Sequence, residues 1–180
     1  QYITDNEETE IEYTLQLDYT HPFLEENKLE VGAKLINRDR EITNATYSDL
    51  SDFRSPEDIF NYNQKVLSSY ISSDWNLAND IGLKAGVRYE KTIFSGDWEN
   101  SSVDSTKSPF GDSYGNILPS ITVAKEFSQT ESLKLSYNNR ISRPGIKHVN
   151  PNILNLNSWS TTVGNPDLDP ASTHQIEMGY

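Results

Sequence analysis

The chain has no cysteine, and methionine occurs once in its 180 residues. Without thiols there is no disulfide framework, no Cys-ligated zinc and no thiol nucleophile. Basic residues are scarce as well: 15 Lys and Arg stand against 27 Asp and Glu, a formal net charge of −12. Sequence-independent nucleic-acid binding draws on cations that displace counterions from phosphate, so no nucleic acid is expected as a partner. No run of about 18 apolar residues exists, which excludes a transmembrane helix. The opening residues, Gln1-Tyr2-Ile3-Thr4-Asp5, have neither a basic start nor an apolar stretch, so no signal peptide is read. Apolar residues make up 34%, below the roughly 45–50% of soluble domains. Aromatics are not scarce: ten Tyr, six Phe and three Trp. Disordered chains are poor in such residues, so the chain is expected to fold. Taken alone, these numbers suit a soluble, secreted or periplasmic β protein.

Catalytic signatures are missing too. His21, His148 and His174 are scattered, with no HExxH pair, and neither GxSxG nor a P-loop occurs. No enzyme, no cofactor and no metal site is expected. The one dense acidic stretch, Asp39, Glu41, Asp49, Asp52, Glu57 and Asp58, offers oxygen ligands that suit Ca²⁺ but has no EF-hand spacing. A solvated acidic loop is the expectation there.

What is present is alternation. Ile11, Tyr13, Leu15, Leu17 and Tyr19 alternate with Glu12, Thr14, Gln16 and Asp18, a complete period of two. The pattern recurs with Leu29, Val31, Ala33 and Leu35, with Ile81, Leu83, Ala85, Val87 and Tyr89, and with Ile121 and Val123. It recurs again with Leu133, Leu135, Tyr137 and Ile141, and with Ile176, Met178 and Tyr180. Between Phe60 and Ser73 it is ambiguous: Val66 and Tyr70 fall on one face, Leu67 and Ile71 on the other. Seven strands are predicted, at 9–20, 28–38, 61–73, 80–93, 116–127, 132–143 and 173–180. The only helix candidate is a short turn within Ser51 to Phe60, where Ser55-Pro56-Glu57-Asp58 offers a cap. Most of the strands exceed the usual soluble length of about 5–6 residues and match the about 9–11 that a tilted strand needs to cross a bilayer.

The predicted links alternate strictly. Short ones fall at His21-Pro22-Phe23, Ser73-Asp74-Trp75-Asn76 and Ser128-Gln129-Thr130-Glu131; long ones span about 39–60, 94–115 and 144–172. Up-and-down outer-membrane barrels have this asymmetry, with short periplasmic turns and long outer loops. Tyr19, Phe23, Tyr70, Trp75 and Phe127 fall near the short turns, and Phe60, Tyr62, Tyr89 and Phe94 near the long loops. Amphipathic rings collect at both membrane interfaces, so two aromatic girdles are expected. The loop aromatics Tyr47, Trp98 and Trp159 are of a kind that stacks on sugars or peptides.

Several strings carry a resemblance. They are Arg140-Ile141-Ser142-Arg143-Pro144, then Asn150-Pro151, then Gly164-Asn165-Pro166-Asp167-Leu168-Asp169-Pro170. Leu17-Asp18-Tyr19 with Pro22-Phe23, Leu29 to Lys34, Ala85 to Glu90, and Leu118-Pro119-Ser120 join them in order. Together they resemble the barrel of TonB-dependent receptors, in the outer-membrane β-barrel family common in Bacteroidetes-type gram-negative bacteria. The resemblance implies an all-β, antiparallel, up-and-down transmembrane barrel segment in the outer membrane. It implies import of a scarce ligand (a siderophore, glycan or peptide) and three partners: the lipid bilayer, the protein's own N-terminal plug and TonB. Plug and TonB box are not found here, and seven strands are too few for a barrel of about 22. Residues 1–180 are therefore expected to be part of one barrel domain, opening in an outer loop and ending within a strand.

On this reading the even strand positions face the lumen. Glu30, Lys34, Lys84, Arg88, Glu90, Lys134 and Arg140 are expected to meet plug or water rather than to bind a ligand directly, and Gly82 and Gly86 to leave room beside them. Leu15, Leu17, Val31, Leu83, Val87 and Leu135 face lipid. Arg143 and Pro144 mark the end of a strand, because Pro cannot donate to a ladder. Gly164, Asn165, Pro166, Leu168 and Pro170 build consecutive turns near the outer mouth. Two other readings compete: a soluble β-sandwich adhesion module, whose one-sided sheets alternate in the same way, and a barrel scaffold in a larger outer-membrane assembly.

Overall fold

The computed structural model describes residues 2–24, 26–48, 58–99, 108–151, 154–157 and 160–180; the side chains of 2–6, 44–48, 58, 154–157 and 160–162 are excepted. The strands are β1 (Tyr2–Phe23), β2 (Asn27–Ser48), β3 (Asp58–Leu77), β4 (Ile81–Glu99), β5 (Phe110–Glu126) and β6 (Ser132–Ser142). A single helical turn, α1 (Ile146–Val149), follows. Then come β7 (Leu154–Asn157), β8 (Ser160–Thr162) and β9 (Ala171–Gly179). Seven of them form one sheet in the order β1-β2-β3-β4-β5-β6-β9, and β7 and β8 make a separate hairpin. Every pairing is antiparallel. The sheet is an open meander, with β1 and β9 at its edges.

The register carries the two-residue period across the whole sheet. Leu15 pairs with Leu35, Leu35 with Leu67, Ile71 with Val87, Leu83 with Val123, and Val123 with Leu135. Odd residues therefore share one face from β1 to β6. At β9 the parity changes, and Leu135 pairs with Met178. Leu17, Ile117 and Ile176 are among the most exposed residues on the odd face, at 74%, 67% and 74%. No second sheet or helical layer of the described residues covers them, which overturns the β-sandwich alternative.

The third short turn, Ser128-Gln129-Thr130-Glu131, lies where expected, but the first two fall later than expected: His21-Pro22-Phe23 ends β1 and Ser73-Asp74-Trp75-Asn76 lies within β3, so the chain reverses only after Phe23 and after Leu77. Leu24, Asn79 and Asp80 take positive φ there, at 48°, 64° and 56°, reversing the chain within a few residues. The long links are shorter than expected, because the strands run further. Asp39 to Ser48 belong to β2, Phe94 to Glu99 to β4, and Phe110 to Gly115 to β5. Asp39 and Glu41 are thus strand residues and not part of an acidic loop. The expected turn at Ser55-Pro56-Glu57 falls outside the described residues, as do Asp49 and Asp52, and Asp58 to Phe60 are strand.

The added length has a physical signature. In β3 the apolar side chains change faces along the strand: Phe60, Tyr62 and Val66 are buried on the even face, whereas Leu67, Ile71 and Trp75 are exposed on the odd face. β4 does the same, with Val87 and Tyr89 exposed on the odd side and Phe94 buried on the even side. Near the short turns the odd face is apolar. Toward the long links it becomes polar, with Asn61, Asn63, Asp97 and Glu99, while the even face gains a core.

That core is Phe60, Tyr62, Phe94 and Val149, with Ile42, Trp98, Phe110, Tyr114 and Ile146 packed around it. Phe60 and Trp98 lie with ring centroids 4.6 Å apart. The expected outer aromatic girdle is corrected here. Phe60, Tyr62 and Phe94 pack inward on the even face, and of the four only Tyr89 points out. Tyr70 also lies on the even face; Tyr19, Trp75 and Phe127 stay exposed. Trp98 packs in the core, whereas Tyr47 and Trp159 have side chains outside the described residues.

Candidate functional site

The even face is polar along most of its length, and cross-strand pairs organise it. Nearest the short turns, Lys84 Nζ lies 3.1 Å from Asp74 Oδ1 and 3.5 Å from Glu30 Oε2. Ser72 Oγ donates to the same Glu30 oxygen at 3.2 Å. Lys34 is half-buried on this face of β2, and Gly86 approaches the β3 side chain Ser72 so closely that a Cβ would lie 2.8 Å from Ser72 Cβ. Further out, Arg88 Nε reaches Glu90 Oε1 at 2.6 Å and Arg88 Nη2 donates to Ser68 Oγ at 3.1 Å. Lys134 and Arg140 sit apart from these pairs, exposed on β6, with Arg140 Nε donating to Asn138 Oδ1 at 3.1 Å. The structure thus brings Glu30 together with Lys84 and Arg88 together with Glu90, and leaves Lys134 and Arg140 outside. On the odd face Leu15, Leu17, Val87 and Leu135 are exposed, and Val31 and Leu83 are partly so.

The β6–β9 connection is the structural centre of this face. β6 ends at Ser142, immediately before Arg143-Pro144. Arg143 Nε donates to Thr92 Oγ1 at 3.2 Å, and its Nη2 donates to the carboxylate of Glu90. Thr92 is fully buried, and Glu90 is 6% exposed between the guanidinium groups of Arg88 and Arg143. α1 then lays Val149 onto Phe60, Tyr62 and Phe94. The far half of the connection returns alongside. Gly164 N–H donates to Asn150 O at 2.9 Å, and Asn165 N–H to His148 O at 2.7 Å. Asp167 N–H closes a turn onto Asn165 Oδ1 at 3.0 Å, and Leu168 N–H bonds Asn165 O at 3.3 Å. Asn side chains make such turns readily. Gly164, Asn165, Pro166, Leu168 and Pro170 therefore build a loop, as their residue types predict.

A cleft of about 320 Å³ opens between this loop and the outer parts of β1, β2 and β3. The strands contribute Glu10, Glu12, Arg38, Arg40, Tyr62 and Gln64; the loop contributes Arg143, Pro144, Gly145 and Ile146. Arg38 Nε is 2.5 Å from Glu12 Oε2 and its Nη1 donates to Gln64 Oε1 at 3.2 Å. Arg40 pairs with Glu10, and with Glu8 Oε1 at 3.0 Å. Gln64 Nε2 bonds the Tyr62 hydroxyl at 3.4 Å. Charges of both signs stand in the cleft, so it can hydrogen-bond donors and acceptors alike. Of these cleft residues, only Arg143 and Pro144 are among the site candidates expected from sequence. The six strand residues share even parity, with Arg38 and Arg40 two apart, and that parity is the signal that marks them.

The profile of the outer membrane protein beta-barrel family matches residues 1–180. The chain belongs to the outer membrane protein beta-barrel family. Membership places this barrel segment in the outer membrane of a gram-negative bacterium. Among curated proteins none matches the sequence.

The barrel segment is similar in fold to solved transport proteins. With the copper transporter OprC it shares a TM-score of 0.70 at 13% identity, over 98% of this chain and 28% of that one. With the ferric citrate transporter FecA, unliganded, the TM-score is 0.67 at 15% identity, over 78% and 22%. With the ferric yersiniabactin uptake receptor FyuA from Yersinia pestis it is 0.65 at 12% identity, over 98% and 27%. The chain thus spans roughly a quarter of the length of these proteins. The resemblance to TonB-dependent receptor barrels holds at the level of fold.

Proposed function

We propose that the segment is part of the wall of a plugged importer, one barrel domain of which residues 1–180 form seven strands. In this reading the even face lines the lumen. Glu30, Lys34, Lys84, Arg88, Glu90, Lys134 and Arg140 meet plug, solute or water there. Leu15, Leu17, Val31, Leu83, Val87 and Leu135 face lipid. The partners are the bilayer, an N-terminal plug and TonB, and the cargo is a scarce ligand of the siderophore, glycan or peptide class. The segment carries out no chemistry of its own.

The observation that carries this reading is the folding of a long connection onto the polar face, with Arg143 on Glu90 and Val149 on Phe94. In a soluble sheet a buried layer covers the apolar face. Here the apolar face is open and a loop covers the polar one, as a lipid-facing exterior requires. Transport is tested by deleting the whole gene in its host and growing the strain under separate iron, glycan and peptide limitation. A growth defect on one limiting nutrient, reproduced by loss of TonB, is expected. Normal growth on all three, with a partner complex missing from the outer membrane, contradicts import and favours a scaffold.

A further inference from the structure

The β6–β9 connection is long enough to swing, but its described residues are fastened at both ends. Val149 is 1% exposed and packs with Phe60, Tyr62 and Phe94. Arg143 is held by Thr92 and Glu90, and Glu90 is held in turn by Arg88. The returning half is pinned to the outgoing half by the backbone bonds of Gly164 and Asn165. At Gly164 a Cβ would lie 2.7 Å from His148 O and 2.8 Å from Asn150 N, so the two backbones meet where no side chain fits.

We propose that residues 143–150, anchored by Glu90 and braced by Gly164 and Asn165, form a fixed strut across the polar face and not a gate that swings open. This rests on the reading of that face as the lumen. Swinging outward would strip Glu90 of one of its two guanidinium partners in a site with little water, where an underpaired carboxylate is strongly disfavoured. It would also expose Val149 and the rings beneath it. With the strut fixed, a solute that follows the polar face passes on the open side, beside Arg38 and Arg40, which stand paired with Glu12 and Glu10. Glu90 and Arg143 are positioning residues: by holding the strut in place they set the aperture.

The test uses the full-length receptor in the outer membrane of living cells. Cysteine is placed singly at Val149 or at Lys147, its exposed neighbour on α1, and challenged with a membrane-impermeant maleimide–polyethylene glycol. Lys147→Cys is expected to react rapidly and Val149→Cys at least about tenfold more slowly, as local-opening behaviour dictates. The ratio is expected to be the same with the proton gradient intact or collapsed by an uncoupler. Arg143→Met is expected to speed labelling of Val149→Cys about tenfold, whereas Arg143→Lys, which keeps the charge, leaves it slow. If Val149→Cys labels as fast as Lys147→Cys in energised cells and becomes protected on uncoupling, the strut is a gate and the proposal fails. Unchanged protection in Arg143→Met also overturns it. If Arg143→Met does not assemble, the comparison of Val149→Cys with Lys147→Cys in the otherwise unaltered barrel still decides. A Lys147→Cys that stays unreactive in an assembled barrel even after the plug is deleted overturns the lumen reading itself, a result distinct from a moving strut.

Discussion

Tyr70 of β3 donates its hydroxyl to Asp18 Oδ1 of β1 at 2.8 Å, across the intervening strand β2. The ring passes over Gly32, which pairs with Asp18 on one side and Tyr70 on the other. A Cβ at Gly32 would lie 2.7 Å from Tyr70 Cζ. Glycine therefore makes room for a ring that ties three strands together.

Gly32→Ala is expected to displace the ring and destabilise the barrel by about 1–3 kcal/mol, as overpacking does. In a Tyr70→Ala background the same change is expected to cost less, because the ring is gone and the Asp18 carboxylate, which also crowds Gly32, loses the hydroxyl that holds it there and can turn aside. Urea unfolding of the four proteins in lipid vesicles measures the coupling. Equal costs in both backgrounds contradict the arrangement.

Phe94→Ala removes a ring that is 3% exposed from the core under α1, and a loss of about 3–5 kcal/mol is expected. Ile117→Ala on the odd face is expected to cost less than about 1.5 kcal/mol in vesicles, since lipid replaces the lost contacts without leaving a cavity. The same unfolding midpoints read both.

Leu24 occupies a left-handed conformation at φ 48° in the β1–β2 turn. A non-glycine side chain there costs about 1–2 kcal/mol, and asparagine tolerates the region better. Leu24→Asn is expected to raise the unfolding midpoint slightly. A fall would show that the Leu24 side chain contributes more than its backbone conformation costs.

The sequence disclosed the meander more fully than it disclosed the strand ends. Alternation at Ile11 to Tyr19 or Ile81 to Tyr89 is strong where one face meets lipid and the other water. It predicts β1 over 9–20 and β4 over 80–93, but the strands run over Tyr2–Phe23 and Ile81–Glu99. Beyond the apolar stretch the odd face carries Asn61, Asn63 and Asp97, and the apolar residues move to the even face. A search for one constant apolar face loses such a strand halfway. The ambiguity between Val66 and Leu67 is this crossing seen in sequence, because Val66 is buried on the even face and Leu67 exposed on the odd. The Arg143 and Gly164 strings announced a shaped loop from Pro and Gly chemistry alone. That the loop returns onto Glu90 and Phe94 was not legible, since only long-range register brings residues 53 positions apart into contact.

Charge placed on the two faces separates them sharply. Leu17→Arg puts a guanidinium on the exposed odd face and is expected to cost about 2–4 kcal/mol near the bilayer midplane, less toward an interface. Gln16→Arg, one residue away on the even face, is expected to be nearly neutral. Similar costs for both contradict the assignment.

The most direct test is a nitroxide scan of β1, one label at a time from Ile11 to Thr20, in the full-length barrel in lipid bilayers. Collision with dissolved oxygen reports lipid exposure, and collision with a water-soluble nickel chelate reports aqueous exposure. Labels at Ile11, Tyr13, Leu15, Leu17 and Tyr19 are expected to favour oxygen. Labels at Glu12, Thr14, Gln16 and Asp18 are expected to be shielded from oxygen relative to their neighbours, with a period of two. Loss of that period, or oxygen preference at the even positions, contradicts a strand with its odd face in lipid.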